Sequence, residues 1–319
     1  MNTASGAEHT DRVWRILSID GGGVRGYFAA LLLARLVAAD PRWLQKVDLI
    51  AGTSTGAIIA LGLALEMAPS EIAGVYAREA ESIFTTSLAD RLLDAGGLIG
   101  PRYDLRRFAA ILRRLFHDVR LGDLSHKVVI PAFDLDDENP DPARRHWQAR
   151  LFHNLSGPQA SGNLLARRAA LYSSAVPAVF ATADGFIDGG VFAANPALCA
   201  LASSLDESIQ DRAPRLDRVR MFSVGTGRSA LHIEGRRLQW GLTQWARPLL
   251  GVTFDAGVGM VDYQCRQLLG DDYHRLNPWL DGESIPLDDA DALPKLERAA
   301  QAAELAPTLA WLEQFWLAS

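Results

Sequence analysis

The feature that most restricts the fold is a glycine-rich turn between a strand-like apolar segment and a helix-like apolar segment. The turn occupies residues 19–26 (IDGGGVRG) and leads into the apolar residues 26–39. Gly21, Gly23 and Gly26 fit the spacing G-x-G-x-x-G, in which backbone N–H groups at a helix N-terminus bind an anion. The turn therefore predicts a strand-turn-helix unit with an anion site, but its spacing does not say which anion is bound.

Strand-like and helix-like patterns alternate along the rest of the chain. The predicted strands comprise residues 14–20, 47–52, 127–135, 147–154 and 218–224. The predicted helices comprise residues 26–39, 54–67, 69–80, 105–117, 164–175, 196–205, 238–250, 255–269 and 293–303. This alternation is typical of βαβ units and predicts the α/β class with a mostly parallel sheet. No internal repeat or linker divides the sequence, so we expect one domain over residues 13–319, including its C-terminal helices, after a disordered leader of residues 1–12.

Composition and charge exclude several classes of protein. A formal net charge of −6 argues against a protein that coats a nucleic acid polymer, because such a protein needs a dominant basic surface. The two cysteines, Cys199 and Cys265, lie far apart and form no zinc motif with histidine, so we expect no metal site and a reducing compartment. No apolar stretch reaches the roughly 20 residues of a membrane span. We therefore expect a cytoplasmic protein.

The apolar residues 309–317 predict a short terminal helix with two tryptophans. Packing of this helix in the core is the simpler interpretation. Docking onto a lipid surface is the alternative, because tryptophan favours the membrane interface.

A second glycine motif follows the second predicted strand. Gly52, Ser54 and Gly56 match G-x-S-x-G, the pattern of a nucleophile elbow, in which serine occupies a sharp turn between a strand and a helix. The apolar residues 47–50 before the motif and 57–60 after it provide that context. The helix N-terminus would favour a developing alkoxide on the serine, so Ser54 is the candidate nucleophile.

The elbow changes the interpretation of the first glycine turn. A dinucleotide-binding turn requires an acidic residue at the end of the second strand, whereas Asp48 lies at its start. Acyl transfer requires N–H groups that stabilise the oxyanion of a tetrahedral intermediate. Gly21, Gly22 and Gly23 carry three successive N–H groups free of side chains. We therefore favour an oxyanion hole over a pyrophosphate site.

A serine nucleophile also needs a base. None of the seven histidines lies in a motif that would place it beside the elbow. Asp188 ends an apolar stretch and is followed by Gly189 and Gly190, which let another group approach closely. A triad of Ser54, Asp188 and His274 remains open, because that order along the chain is permitted.

Together these motifs resemble those of the patatin-like phospholipases. The matching segments are residues 20–26 (DGGGVRG), 52–56 (GTSTG) and 188–190 (DGG), with supporting matches at residues 194–197 (ANPA) and 223–227 (SVGTG). The resemblance implies a three-layer α/β/α sandwich with a mostly parallel central sheet. It also implies a serine hydrolase of carboxylic esters with a Ser54–Asp188 dyad, an acyl-enzyme and an oxyanion hole at Gly21, Gly22 and Gly23. Gly26, Gly52, Gly56, Gly189 and Gly190 would support these motifs, and Arg25 would hold the loop or contact a phosphate.

The resemblance further implies a substrate and a location. The expected substrates are membrane phospholipids or lysophospholipids, reached by peripheral contact with the membrane and hydrolysed without a cofactor. Some bacterial members of the family are effectors that a cyclic nucleotide activates, so a small-nucleotide activator is a further expectation. A different possibility is a homologue without catalytic activity that binds a lipid or nucleotide in the cleft.

Overall fold

The described residues form a mixed α/β structure around one sheet. The structure, a computed structural model, describes residues 12–84, 100–157, 159–210, 212–230, 232–280 and 285–318. The predicted leader comprises residues 1–12, and residues 1–11 of it lie outside these ranges.

The sheet has seven strands within the described ranges. They are β1 (Trp14–Ile19), β2 (Leu49–Gly52), β3 (Lys127–Asp134), β4 (Gln148–His153), β5 (Phe186–Asp188), β6 (Val219–Val224) and β7 (Tyr273–Leu276). Their order is β4-β3-β2-β1-β6-β7, and β5 pairs with β3. The pairs among β3, β2, β1, β6 and β7 are parallel, whereas β4 and β5 run antiparallel to β3. The sheet is therefore mostly parallel, as predicted.

Helices cover both faces of the sheet, which confirms the predicted three-layer α/β/α sandwich. They are α1 (Gly26–Ala39), α2 (Arg42–Gln45), α3 (Thr55–Ala64), α4 (Pro69–Ile83), α5 (Leu105–Phe116), α6 (Ala166–Ser173), α7 (Gly190–Ala193), α8 (Ala197–Leu205), α9 (Leu242–Leu269), α10 (Leu293–Ala302) and α11 (Ala306–Trp311). No helix in the described part of the chain is both long and apolar enough to cross a lipid bilayer.

Alternating side chains of the strands divide the interior into two cores. In β1, Leu17 and Ile19 belong to the first core, which α1, α3, α4, α5, α6 and α10 cover. Ile16 belongs to the second core with Cys265 and Leu269, which α8 and α9 cover. Because neighbouring side chains of a strand point to opposite faces, one short apolar strand contributes to both layers.

The structure joins the predicted helices 238–250 and 255–269 into the single helix α9, so the predicted break between them and the start at residue 238 are wrong. Pro248 lies inside it and lacks the N–H that a helix interior normally uses. Glycine and β-branched residues near position 251 disfavour the helix by only about 1 kcal/mol each. Packing of Cys265 and Leu269 in the second core stabilises the helix as a whole.

The C-terminal residues pack in the first core, which confirms the simpler interpretation of residues 309–317. Trp316 is fully buried and Trp311 is 8% exposed. The indole Nε1 of Trp316 donates to the carbonyl of Trp43 at 2.8 Å, and Arg15 Nε donates to the Trp316 carbonyl at 2.7 Å. Arg35 Nη1 donates to the Ala303 carbonyl at 2.9 Å. These tryptophans are therefore not available to a lipid surface.

Candidate active site

Ser54 lies on a strained turn between β2 and α3. Its backbone angles are φ 55° and ψ −123°, a region that disfavours residues other than glycine by about 1–3 kcal/mol. Its N–H donates to Ser173 Oγ at 2.9 Å, which supports the turn. A Cβ on Gly52 would collide with the carbonyl of Gly56, and a Cβ on Gly56 would collide with the carbonyl of Ile19. The two glycines are therefore required for the sharp turn that the motif predicts.

The register of β3 brings Asp188 to the level of Ser54. β3 pairs Val129 with Ala51 of β2 and Ala132 with Asp188 of β5. Ser54 lies three residues after Ala51, and Ala132 lies three residues after Val129. β2 and β5 pair with successive parts of β3. Because β5 runs antiparallel to β3, its last residue, Asp188, lies near the start of the elbow. Two segments distant in sequence thus meet at one point.

The Asp188 carboxylate is fully buried. Burial raises the pKa of Asp188 to about 7, although the Ser54 hydroxyl and the N–H of Gly190 lower it in part. The N–H of Gly190 donates to Oδ1 at 2.6 Å. Ser54 lies close enough to affect the pKa of Asp188, and Oδ2 makes no hydrogen bond to a described residue. The carboxylate is therefore a stronger base than an exposed aspartate.

The glycines after Asp188 allow this close packing. A Cβ on Gly189 would collide with the carbonyl of Pro131 in β3. A Cβ on Gly190 would lie 2.9 Å from Asp188 Oδ1 and 3.1 Å from the Phe254 ring. Both positions therefore exclude a side chain, which explains the glycine pair in the motif.

The glycine loop lies directly against Ser54. A Cβ on Gly21 would lie 3.4 Å from the Ser54 Cβ. The N–H of Gly21 donates to the Ala194 carbonyl at 2.8 Å, so it is not free to bind a substrate oxygen. The N–H groups of Gly22 and Gly23 donate to no described residue. Of the three predicted oxyanion donors, Gly22 and Gly23 keep N–H groups free for a substrate oxygen, and their role in an oxyanion hole stays a prediction.

Close packing fixes the conformation of the loop. A Cβ on Gly22 would collide with the side chain of Thr226, whose Oγ1 donates to the Gly21 carbonyl at 2.9 Å. Gly23 has φ 57°, and a Cβ there would collide with the carbonyl of Leu287. Gly26 has no room for a side chain either, because a Cβ would collide with Thr55 at the start of α3.

A buried ion pair anchors the residue before the glycines. Arg275 in β7 donates to both carboxylate oxygens of Asp20, to Oδ1 at 3.2 Å, and to Ser223 Oγ at 2.6 Å. The side chains of Arg275 and Asp20 are 1% and 2% exposed. Arg275 was not predicted as a site residue, because its short strand (YHRL) is not an apolar run that would mark the arginine as buried.

We expect Arg275→Ala to destabilise the fold strongly, because it leaves the Asp20 carboxylate buried without a partner. The expected loss in the free energy of unfolding is about 3–5 kcal/mol. Urea denaturation measures it, with Arg42→Ala as the control. Arg42 pairs with Asp40 at the surface, where such a pair contributes at most about 1 kcal/mol. Equal losses in the two variants would contradict the anchoring role of the buried pair.

The Arg25 side chain does not hold the glycine loop through a hydrogen bond to a described residue. Its guanidinium makes no hydrogen bond to a described residue, and its Nε is buried without a partner. Burial lowers the pKa of Arg25, which the charges of Asp255 and Asp20 oppose. The structure therefore gives no hydrogen bond by which the Arg25 side chain would hold the loop.

An apolar cleft opens beside Ser54. It has about 520 Å³ of empty space, part of which is open to solvent. Gly23, Ser54 and Ser174 line it together with apolar side chains from α3, α4, α5 and the segment after α6. Those side chains are Ile58, Ala80, Ile83, Phe84, Phe108, Val176, Val179 and Phe180, joined by Leu287. Among the described residues no histidine lines the cleft. Such a wall suits a fatty acyl chain.

His274 lies away from the cleft, so the alternative triad is wrong. Its Nε2 contacts Thr308 Oγ1 at 2.9 Å, and its ring stacks on Trp311 with 5.1 Å between centroids. Burial lowers the pKa of His274 to about 4. In the described ranges, no three His, Cys, Asp or Glu side chains are grouped as metal ligands.

Comparison with known proteins gives several relatives of similar length. The chain is 27% identical over 330 residues to Protein teg of Priestia megaterium, with 95% of this chain and 99% of that protein covered. It is 29% identical over 274 residues to the cGAMP-activated phospholipase of Pseudomonas aeruginosa, with 83% and 78% covered. The solved structure of VipD from Legionella pneumophila aligns with 95% of this chain and 69% of that chain, at a TM-score of 0.41 and 10% identity.

The sequence model of one family matches more than half of the chain. This family is described as patatin-like phospholipase, and the match covers residues 17–201. The matched range contains the glycine loop, the Ser54 elbow and Asp188. The chain therefore belongs to the patatin-like phospholipase family.

Proposed function

We propose that this protein is a lipid acyl hydrolase with a Ser54–Asp188 dyad. The observation that carries the proposal is the buried Asp188 carboxylate beside Ser54, with its pKa raised to about 7. A carboxylate of ordinary pKa is a weak base toward a serine hydroxyl, whereas this one is matched to neutral pH. The apolar cleft beside the pair supports an acyl ester as the substrate.

The geometry supports a two-step mechanism. In acylation, Ser54 Oγ attacks the ester carbonyl carbon while Asp188 takes the hydroxyl proton, and the N–H groups of Gly22 and Gly23 bind the oxyanion. Asp188 then gives the proton to the leaving alcohol as the bond between carbon and oxygen breaks. In deacylation, Asp188 takes a proton from water, which attacks the acyl-enzyme and releases the fatty acid. Asp188 returns the proton to Ser54.

Membrane phospholipids or lysophospholipids are the proposed substrates. The family is named for phospholipases, and a relative is named a cGAMP-activated phospholipase. Because that relative is named as cGAMP-activated, a small-nucleotide activator of this protein stays a prediction. Cytoplasmic location and peripheral membrane contact likewise stay predictions.

Labelling by a fluorophosphonate probe tests the proposal directly, because such probes react with activated serines. We expect the wild-type protein to become labelled and to release free fatty acid from mixed phospholipid vesicles, as measured by mass spectrometry. A homologue that only binds lipid or nucleotide would show neither. Repeating the assay with cyclic nucleotides added tests whether an activator is required.

We expect kcat/KM for a soluble short-chain ester to rise with pH, with a midpoint near 7. Asp188 accepts a proton only when ionised, so activity falls about tenfold for each pH unit below the midpoint. His274→Asn serves as the control and leaves the midpoint unchanged, because His274 lies away from the cleft. A midpoint near the ordinary aspartate value of 3.8 would contradict the role of burial.

A further inference from the structure

A second cavity lies at the same edge of the sheet as Ser54, beyond the ends of β6 and β7. It has about 910 Å³ of empty space, part of which is open to solvent, and Arg25, Arg228, Ser229, Asp255 and Trp279 are among the residues that line it. We call it the β6–β7 cavity. Because β6 and β7 run parallel to β1, their C-terminal ends lie at the edge that carries the glycine loop. Gly23 lines the acyl cleft and Arg25 lines this cavity, so the loop separates the two.

The cavity contains cationic donors without acceptors. The guanidinium carbon of Arg228 lies 5.7 Å from the centre of the Trp279 ring, and its side chain has no hydrogen bond to a described residue. Backbone pairing fixes this arrangement, since the N–H of Arg228 donates to the Pro278 carbonyl at 2.9 Å. Arg25 Nε and Ser229 Oγ are buried without partners among the described residues. The unpaired buried donors of Arg25 and Ser229, beside the exposed side chain of Arg228, favour an anionic ligand.

The balance of charge indicates what kind of anion fits. Two other charged residues that line the cavity are already paired. Arg275 binds Asp20, and Asp262 Oδ1 lies 3.1 Å from Arg266 Nε. Arg25 and Arg228 then face the single carboxylate of Asp255. The two guanidinium groups and this one carboxylate leave a net charge of +1 in the cavity. A phosphodiester carries one negative charge, which would balance it.

We propose that the β6–β7 cavity binds a phosphodiester anion between Arg25 and Arg228. Guanidinium groups match the geometry of phosphate oxygens, and the Trp279 ring holds that of Arg228 in place. In a glycerophospholipid the phosphodiester belongs to the same molecule as the ester that Ser54 attacks. The inference rests on the proposed function for this substrate, but the cavity can bind a soluble phosphodiester by the same contacts.

The first experiment compares two substrates of equal acyl length, dihexanoylphosphatidylcholine and p-nitrophenyl hexanoate. We expect Arg228→Gln to lower the ratio of kcat/KM for the phospholipid to that for the neutral ester by about tenfold, the loss of one charge-assisted hydrogen bond. Arg236→Gln is the matched control, because Arg236 is exposed and does not line the cavity. An unchanged ratio in Arg228→Gln would exclude the lipid headgroup as the ligand.

The second experiment does not depend on hydrolysis. Calorimetry measures the binding of glycerophosphocholine to the Ser54→Ala protein, and we expect Arg228→Gln to raise the Kd about tenfold in that background. A raised Kd with an unchanged substrate ratio would assign the cavity to a soluble phosphodiester. No binding, or an equal Kd in both proteins, together with an unchanged ratio would overturn the inference. Binding that depends on Arg228, found together with a wild-type protein that hydrolyses neither the phospholipid nor the neutral ester, would refute the proposed function alone.

Discussion

Ser54→Ala abolishes the release of fatty acid from phospholipid vesicles, with an expected fall in kcat of roughly 10⁴-fold or more. The variant removes the atom that attacks the ester carbonyl. Besides Ser54, the described residues of the cleft that carry an aliphatic hydroxyl are Thr55 and Ser174. Alanine at position 54 meets the same backbone requirement at φ 55°, so we expect the fold to persist. Mass spectrometry of the released fatty acid measures the effect.

A matched serine variant separates chemistry from folding in that experiment. Ser203 in α8 is 5% exposed, as buried as Ser54 at 6%, but it does not line the cleft. We expect Ser203→Ala to keep both hydrolysis and labelling by a fluorophosphonate probe. Residual labelling of Ser54→Ala at the wild-type rate would show that another residue is the nucleophile.

Asp188→Asn lowers kcat about as strongly, by about 10⁴-fold, because asparagine cannot take the proton of Ser54. The substitution keeps the size of the side chain, and its oxygen still accepts from the N–H of Gly190. Ser54 remains in place, so we expect the probe to react slowly rather than not at all. The rate of labelling and the release of fatty acid together measure the effect. Activity within tenfold of wild type would refute Asp188 as the base.

The same variant is expected to be more stable than the wild type at alkaline pH. The folded protein holds the proton of Asp188 up to about pH 7, whereas the unfolded chain loses it near 3.8. The folded state therefore binds more protons in this window, and its free energy of unfolding falls as the pH rises. Asparagine does not ionise, so Asp188→Asn raises that free energy at pH 8 by up to about 4 kcal/mol, with little change at pH 4. Urea denaturation at both pH values checks the sign.

Local patterns were enough to predict the elements that carry the motifs. β1, α1, β2 and α3 each have a mostly apolar sequence, and glycines occupy the turns between strand and helix. Gly56 packs against the more distant Ile19 of β1, whereas Gly52 has a local reason, because a Cβ there would collide with the carbonyl of Gly56. Such features depend on neighbours in sequence, so a single sequence is sufficient to find them.

Features that depend on distant contacts were not predictable in the same way. β5 has only three residues, too few to show a period, and it forms because β3 offers a free edge beyond the end of β2. The N–H of Gly21 is taken by Ala194, a residue about 170 positions away, whose proximity follows only from the packing of α7. Arg275 acquires its role in the same manner, through a strand that joins the sheet near the end of the chain.

The arginines that bind C-terminal carbonyls have a consequence for the order of events on the ribosome. Arg15 in β1 donates to the Trp316 carbonyl at 2.7 Å, and Arg220 in β6 donates to the Ala318 carbonyl at 2.8 Å. These carbonyl groups are synthesised long after β1. The hydrogen bonds that they accept from Arg15 and Arg220 therefore form only after residues 316–318 have been made. The acyl cleft shares its core with the same late segment. A nascent chain therefore cannot complete the core beside the cleft until residues 293–318 have emerged.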